Sequence, residues 1–316
     1  MSHRPQPLRV PDQVLDPPPV LPGDRVGVAA LSGRVDPDRL RRGVEALRQL
    51  GYEPVLADNL GRQDGLFAGD EDERLNGFHS LAADESIRAI FFARGGHGML
   101  RLIDRLDWDL LSQRPRAYVG YSDLVPFLNQ VVLRLGYVAF HGPMVAADLA
   151  RGLDPEEAAS LRDALAGHSQ PIPVARWSSR GRGDGVAEGT LLGGCLSLFS
   201  DTVGTPWETR FGRSIAFFEE IDEGLYRVDR MLRHLLLSGT LSGVAGLLFG
   251  HLDWRVSAGG SPPSEASVDH CLEWLGGEVV GPIGWGVPAG HRAPNRTLPL
   301  GARVRVDSSV GFVERI

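Results

Sequence analysis

The sequence predicts an α/β protein: an N-terminal, mainly parallel sheet with flanking helices, followed by a smaller, β-rich α/β domain. Three observations carry that expectation. Short apolar runs alternate with helical periodicities from Asp24 to Leu135, and that alternation implies parallel strands joined by helices. The stretch 168–190 then turns rich in Gly, Ser, Arg and Pro. Beyond it the apolar runs resume in a different rhythm and end in a hairpin pattern. At 316 residues the chain exceeds the usual single-domain size. The expected division is a proline-rich arm (1–22), an α/β domain (23–167), a linker (168–190) and a C-terminal domain (191–316).

Asp24 to Ala30 (DRVGVAA) reads as a strand, and the periodic stretch Asp36 to Leu50, stopped by Gly51, as a helix. Pro54 to Ala57 forms a second strand, and Asp70 to Ala83, acidic in its first turn, a second helix. Ile87 to Ala93 is a buried strand closed by the glycine cluster Arg94-Gly95-Gly96-His97-Gly98. Met99 to Leu106 reads as a helix, Ala117 to Gly120 as a strand, and Leu124 to Leu135 as an apolar helix with Pro126 in its first turn. Such a sheet is Rossmann-like or flavodoxin-like, and its ligands bind at the carboxyl ends of the strands, where the glycine cluster and Ser122 both fall. In the second half, Ile215 to Phe218 and Val244 to Phe249 read as strands around the helix Arg227 to Leu237, with Arg303 to Val306 and Gly311 to Glu314 as the hairpin.

Composition removes several classes of function. The net charge of −7 is unsuited to gripping a phosphate backbone, so no nucleic-acid partner is expected. The chain contains no lysine, which excludes a Ser-Lys dyad, a Schiff-base lysine and a Walker-type phosphate-binding lysine. Two cysteines, Cys195 and Cys271, suggest neither a disulfide framework nor a metal site. No metal or cofactor is expected. The first 22 residues hold seven prolines and no apolar core of a signal peptide, and no apolar run reaches the roughly 18 residues of a membrane span. A cytoplasmic setting without membrane association is expected.

Four segments could carry chemistry. Tyr118-Val119-Gly120-Tyr121-Ser122-Asp123 puts a serine at a strand-to-helix turn, half of a nucleophile elbow; a helix N-cap occupies the same kind of position. The Gly95–Gly98 loop opens backbone amides towards an anion or a developing oxyanion, or is simply a tight turn. As a dinucleotide fingerprint it lacks the required spacing and follows the third strand instead of the first. The run Glu219-Glu220-Ile221-Asp222-Glu223 fits a solvated ion-pair face. His291 lies in a proline and glycine loop, a common setting for a general base.

In order along the chain, these segments resemble the serine LD-carboxypeptidase family, whose other branch contains the microcin C self-immunity peptidases. The resemblance rests on GDRV at 23–26, RGGHG at 94–98, LIDRLDW at 102–108, GYSDL at 120–124, HGPM at 141–144, LLGGCLSL at 191–198, GTPWE at 204–208, EEIDEGLYRVDRML at 219–232, and GH at 290–291 with LPLG at 298–301. It implies a Ser122, Glu219, His291 triad and an oxyanion hole made by the amides of Gly96 and Asp123. Glu219 is preferred to Glu220 because it lies eight positions before Arg227, as the family's glutamate precedes its arginine. The resemblance also implies a homodimer acting on a peptide or muropeptide, releasing terminal D-alanine from murein tetrapeptides.

Three departures bear on substrate preference: His97 replaces the family's tyrosine, Cys195 its asparagine, and Arg292 a small residue. Arg94, His97 and Arg292 are therefore candidate substrate contacts, since a guanidinium can clamp a carboxylate bidentately. The main rival is an immunity-type hydrolase of aminoacyl-nucleotide amides, which carries a longer insertion with an aromatic for base stacking; here the linker is short and Trp177 is its only tryptophan. A non-catalytic binding protein and a dinucleotide-dependent oxidoreductase are more distant alternatives.

Overall fold

The computed structural model describes residues 8–178, 185–256 and 260–316. Its strands are β1 (Arg25–Ala29), β2 (Glu53–Leu56), β3 (Ile87–Phe92), β4 (Ala117–Gly120), β5 (Ala139–His141), β6 (Ile172–Pro173), β7 (Arg176–Trp177), β8 (Val186–Cys195), β9 (Ile215–Glu223), β10 (Gly246–Trp254), β11 (Ile283–Trp285), β12 (Leu298–Leu300), β13 (Arg303–Asp307) and β14 (Phe312–Arg315). The main helices are α1 (Pro37–Gln49), α2 (Glu71–Ala83), α3 (Trp108–Gln113), α4 (Val125–Gln130), α5 (Pro155–Leu165), α6 (Leu196–Thr202), α7 (Leu225–Leu237) and α8 (Glu265–Leu272). The chain divides into two units, one of Gln13–Ser169 with Pro294–Leu300 and one containing Gln170–Ala293 and Gly301–Ile316.

In the first unit the sheet order is β12-β5-β4-β3-β1-β2, parallel throughout except for the antiparallel edge strand β12. Strand order reverses between β1 and β3, the switch point at which α/β sheets open a crevice at their carboxyl ends. The core strands are apolar because both faces are covered: β3 buries Ile87, Ala89, Ile90, Phe91 and Phe92. Helix starts are written locally. Asp36 caps α1 by accepting from Arg39 N at 2.8 Å, with Pro37 at its first position, and Asp70 with Glu73, and Asp154 with Glu157, form capping boxes for α2 and α5.

The second unit is an eight-stranded sheet ordered β6-β14-β13-β8-β9-β10-β11-β7. Its centre, β8-β9-β10-β11, is parallel, and its flanks run antiparallel. Helix α7 buries Val228, Leu232 and Leu235, an i, i+4, i+7 stripe.

Several expected boundaries differ. Met99 to Leu106 forms two 3₁₀ turns, Met99–Arg101 and Ile103–Arg105, closed by three-residue bonds from Leu102 N to Met99 O at 3.0 Å and from Arg105 N to Leu102 O at 2.8 Å. Strand β9 runs past Phe218 through both glutamates to Glu223. The expected linker 168–190 supplies β6, β7 and the start of β8, with residues 179–184 outside the described residues. Part of the expected N-terminal arm is packed on the first unit: Leu15 bridges Tyr137, and Val20 is buried with its amide on Leu165 O at 2.8 Å. Residues 1–7 of that arm lie outside the described residues.

Candidate active site

The first unit holds a strained serine at a strand-to-helix turn. Beyond the end of β4 the chain passes through extended Tyr121 into Ser122, whose φ is +61°. A left-handed serine costs about 1–3 kcal/mol and persists only where its surroundings enforce it. Here a strand turns sharply into a helix, and the serine sits at the apex, the geometry of a nucleophile elbow. Gly95 lies against it: a Cβ at that position would stand 2.7 Å from Ser122 Cβ, 2.8 Å from its Oγ and 3.2 Å from the Asp123 amide nitrogen. The glycine loop can approach this closely only without a side chain.

Asp123 fixes the arrangement through its carboxylate, which accepts from Ser32 Oγ at 2.6 Å and from the Met99 amide at 2.8 Å. Ser32 follows β1 and Met99 follows β3, so one buried carboxylate ties the loops of both switch-point strands to the elbow. Gly33 N also donates to Gly95 O at 3.1 Å. Ser32 was not anticipated from sequence; the Ser32-Gly33 pair ending the first strand was visible, but nothing local connects it to Asp123, 91 residues away. Replacing Gly95 by alanine should lower kcat/KM about a hundredfold by displacing Ser122, and destabilise the fold by about 1–3 kcal/mol through overpacking; steady-state kinetics and a thermal melt check both.

The expected substrate contacts in this unit are placed as follows. Arg94 is exposed, with Nε donating to Gly95 O and Nη1 to Arg34 O, each at 3.2 Å, so it braces the glycine loop. Gly96, at φ +113°, is exposed. His97 is exposed, its ring 5.8 Å from that of Phe67.

The second unit holds a buried glutamate and histidine pair. Successive strand residues face opposite ways, and this sorts the two glutamates of β9. Glu219, 0% exposed, has Oε2 2.6 Å from His291 Nδ1. Glu220 accepts instead from the amides of Ser197 at 2.6 Å and Ile221 at 3.0 Å, with Cys195 Sγ 3.4 Å away. Burial raises the Glu220 carboxyl above its ordinary pKa against the pull of those amides. Burial, then Glu219 and Glu220, push the Cys195 thiol well up, which leaves it protonated and a poor rival nucleophile. Arg227, whose spacing favoured Glu219, pairs with Glu223. Arg292 pairs with Asp253. Among the described residues no group of three or more His, Cys, Asp or Glu is placed to hold a metal ion, and no helix is long and apolar enough to cross a membrane.

A buried carboxylate on the Nδ1 side of an imidazole fixes its tautomer and leaves Nε2 for proton transfer. A strained serine against a glycine loop presents a hydroxyl beside backbone amides. Each arrangement, taken within its own unit, is of a kind used in acyl-transfer chemistry.

Residues 26–142 match the LD-carboxypeptidase N-terminal domain and residues 188–306 the LD-carboxypeptidase C-terminal domain. The probable murein peptide carboxypeptidase of Bacillus subtilis is 32% identical over 301 residues, covering 91% of this chain and 90% of that protein. The crystal structure of muramoyltetrapeptide carboxypeptidase from Oxalobacter formigenes is similar with a TM-score of 0.78 at 30% identity, covering 92% of this chain and 97% of that one. The structure of MccF in complex with glutamyl sulfamoyl guanosine shares the fold with a TM-score of 0.82 at 23% identity, over 95% of this chain and 98% of that one. With both domains matched in order and relatives similar along nearly the whole length, the chain belongs to the LD-carboxypeptidase family and is a serine-type peptidase hydrolase.

Proposed function

We propose that this enzyme releases terminal D-alanine from murein tetrapeptides by hydrolysing the L,D amide bond, with Ser122, Glu219 and His291 acting as one triad. The observation that carries the reading is the left-handed Ser122 pressed against Gly95; the names of the relatives supply the substrate class. Neutral His291 takes the proton of Ser122 Oγ as that oxygen attacks the scissile carbonyl carbon. The charge on the carbonyl oxygen falls to the amides of Gly96 and Asp123. Collapse breaks the C–N bond, His291 returns the proton to the leaving amine of D-alanine, and an acyl ester remains on Ser122. Water, deprotonated by His291, hydrolyses the ester, and Glu219 stabilises the imidazolium in both stages.

An exopeptidase also has to recognise a free carboxylate, and Arg94, His97 and Arg292 are the groups we assign to that task. Arg292 lies next to His291 in sequence and keeps 58% of its side chain exposed. The reading includes a cytoplasmic homodimer working on muropeptides released by wall turnover.

Incubation with a tetrapeptide muropeptide should yield D-alanine and the tripeptide by mass spectrometry. Its absence, with cleavage of an aminoacyl sulfamoyl nucleoside in the parallel sample, would replace this reading with an immunity-type amidase, for which the MccF fold likeness is the support.

A further inference from the structure

We infer that Arg74 is a positioning residue for the reaction: its buried guanidinium clamps the loops after β1 and β3 together through their carbonyls, and so sets the place of Asp123 and of its amide beside Ser122. The inference rests on the reading of Ser122 as nucleophile and of the Gly96 and Asp123 amides as the oxyanion hole.

Arg74 lies near the start of α2 and is 1% exposed. Burying a guanidinium is costly unless its hydrogen bonds are made, and here they go to main-chain oxygens. Nη1 donates to Leu31 O at 2.7 Å and to Gly98 O at 3.4 Å, and Nε donates to Asp70 O at 3.3 Å. The last of these ties the group to the capped end of its own helix, so the fork is carried by a rigid element. The guanidinium also lies over the Phe67 ring, with Cζ 4.7 Å from the centroid. Burial, the largest influence, lowers its pKa, while Glu71 and Asp123 pull the other way; arginine stays protonated, so every N–H remains a donor.

The two carbonyls that share Nη1 stand next to the groups that hold Asp123. Leu31 immediately precedes Ser32, and Gly98 immediately precedes Met99. Ser32 Oγ and the Met99 amide are the donors to Asp123 Oδ2. One nitrogen of Arg74 and one oxygen of Asp123 therefore hold the same two loops at adjacent residues; the fork, fixed on a helix, decides their separation, and the carboxylate follows. Gly98, at φ +130°, lets its loop come this close: a Cβ there would stand 2.7 Å from Nη1 and 2.9 Å from the Phe67 ring. Gly33, next to Ser32, donates to Gly95 O, so the same separation bears on the glycine loop that faces Ser122. Oxyanion donors act from about 2.7–3.1 Å, which leaves little room for either loop to drift.

The test compares Arg74→Met, which fills similar space without a donor, with Arg74→Lys, which keeps the charge and a donor but lacks the fork that spans both carbonyls. Labelling with a fluorophosphonate separates position from folding, since its stoichiometry counts intact sites and its rate constant reports the geometry at Ser122. Labelling should go to completion in both variants, with the rate constant lowered about a hundredfold by methionine and about tenfold by lysine. For tetrapeptide cleavage kcat should fall in step, with KM changed less than about twofold, because the oxyanion forms only after binding. Arg101→Met removes the other cation over Phe67, at 5.1 Å, and should label at the wild-type rate. A wild-type rate constant in either Arg74 variant would overturn the inference, as would equal slowing in Arg101→Met. So would a purely structural pattern, in which the labelled fraction falls while the remaining sites react at the wild-type rate. If methionine prevents folding, lysine decides by the same criteria. Failure of the parent reading looks different: wild type then leaves Ser122 unlabelled, or labels it without losing D-alanine release.

Discussion

Ser122→Ala should lower D-alanine release from a tetrapeptide by about four orders of magnitude or more, the scale on which loss of a triad nucleophile is felt. Circular dichroism should be unchanged. The expectation follows from the elbow: the backbone at Ser122 is held at φ +61° by the approach of Gly95 and by the Asp123 ties to Ser32 and Met99, none of which needs the hydroxyl. The same strain makes a second expectation for this position. Ser122→Gly should be as inactive as alanine yet more stable than wild type by about 1 kcal/mol, because glycine occupies the left-handed region without steric cost. A thermal melt should register a rise of about 2–4 °C. Turnover above about one per cent in Ser122→Ala would remove this serine from the chemistry.

Glu219→Gln should cost about three to four orders of magnitude in kcat with KM little changed. The substitution keeps the size of the side chain and removes its charge, so the imidazole loses the group that fixes its tautomer and stabilises its protonated form. Glu219 is fully buried, with Oε2 2.6 Å from Nδ1, so no solvent is at hand to compensate. Glu220→Gln provides the contrast. Its carboxyl faces Ser197 and Cys195 on the other side of β9, and its loss should act on stability through the start of α6 and leave kcat within about tenfold. Reversal of the two effects, in single-turnover assays, would transfer the role to Glu220.

Much of the first sheet was legible because its signals are local. Apolar runs of strand length, aspartate caps and stopping glycines occur where the structure has β1, α1, β3 and β4. The elbow was half legible, since GYSDL marks the turn while the sign of φ at Ser122 depends on Gly95. What failed was what depends on distant partners. The acidic run at 219–223 suggested a solvated face and an end to the strand, yet Glu219 and Glu220 are buried inside β9 because His291, Cys195 and the Ser197 amide receive them. Hydropathy has no means of registering a partner 72 residues away, and only the ordered family motifs linked position 219 to position 291. Helix α5 went unexpected although its Asp154–Glu157 capping box was in plain view. Its Glu157 is fully buried, accepting from the Asn295 amide at 2.6 Å and pairing with Arg151.

The short strand β12 has a consequence for how this polypeptide can be taken apart. It adds antiparallel to β5 through Leu298, Pro299 and Leu300, and Pro299 suits that outermost place because a proline cannot serve a further neighbour. The covalent order is thus interleaved, with a late piece of chain completing an early sheet. A single splice near residue 170 would not yield two self-sufficient modules: the leading fragment would bare the main chain of Ala139–His141, an open border of the sort that invites intermolecular pairing. Evolution by swapping whole halves is thereby discouraged, and the serine-bearing and histidine-bearing portions have to be inherited together.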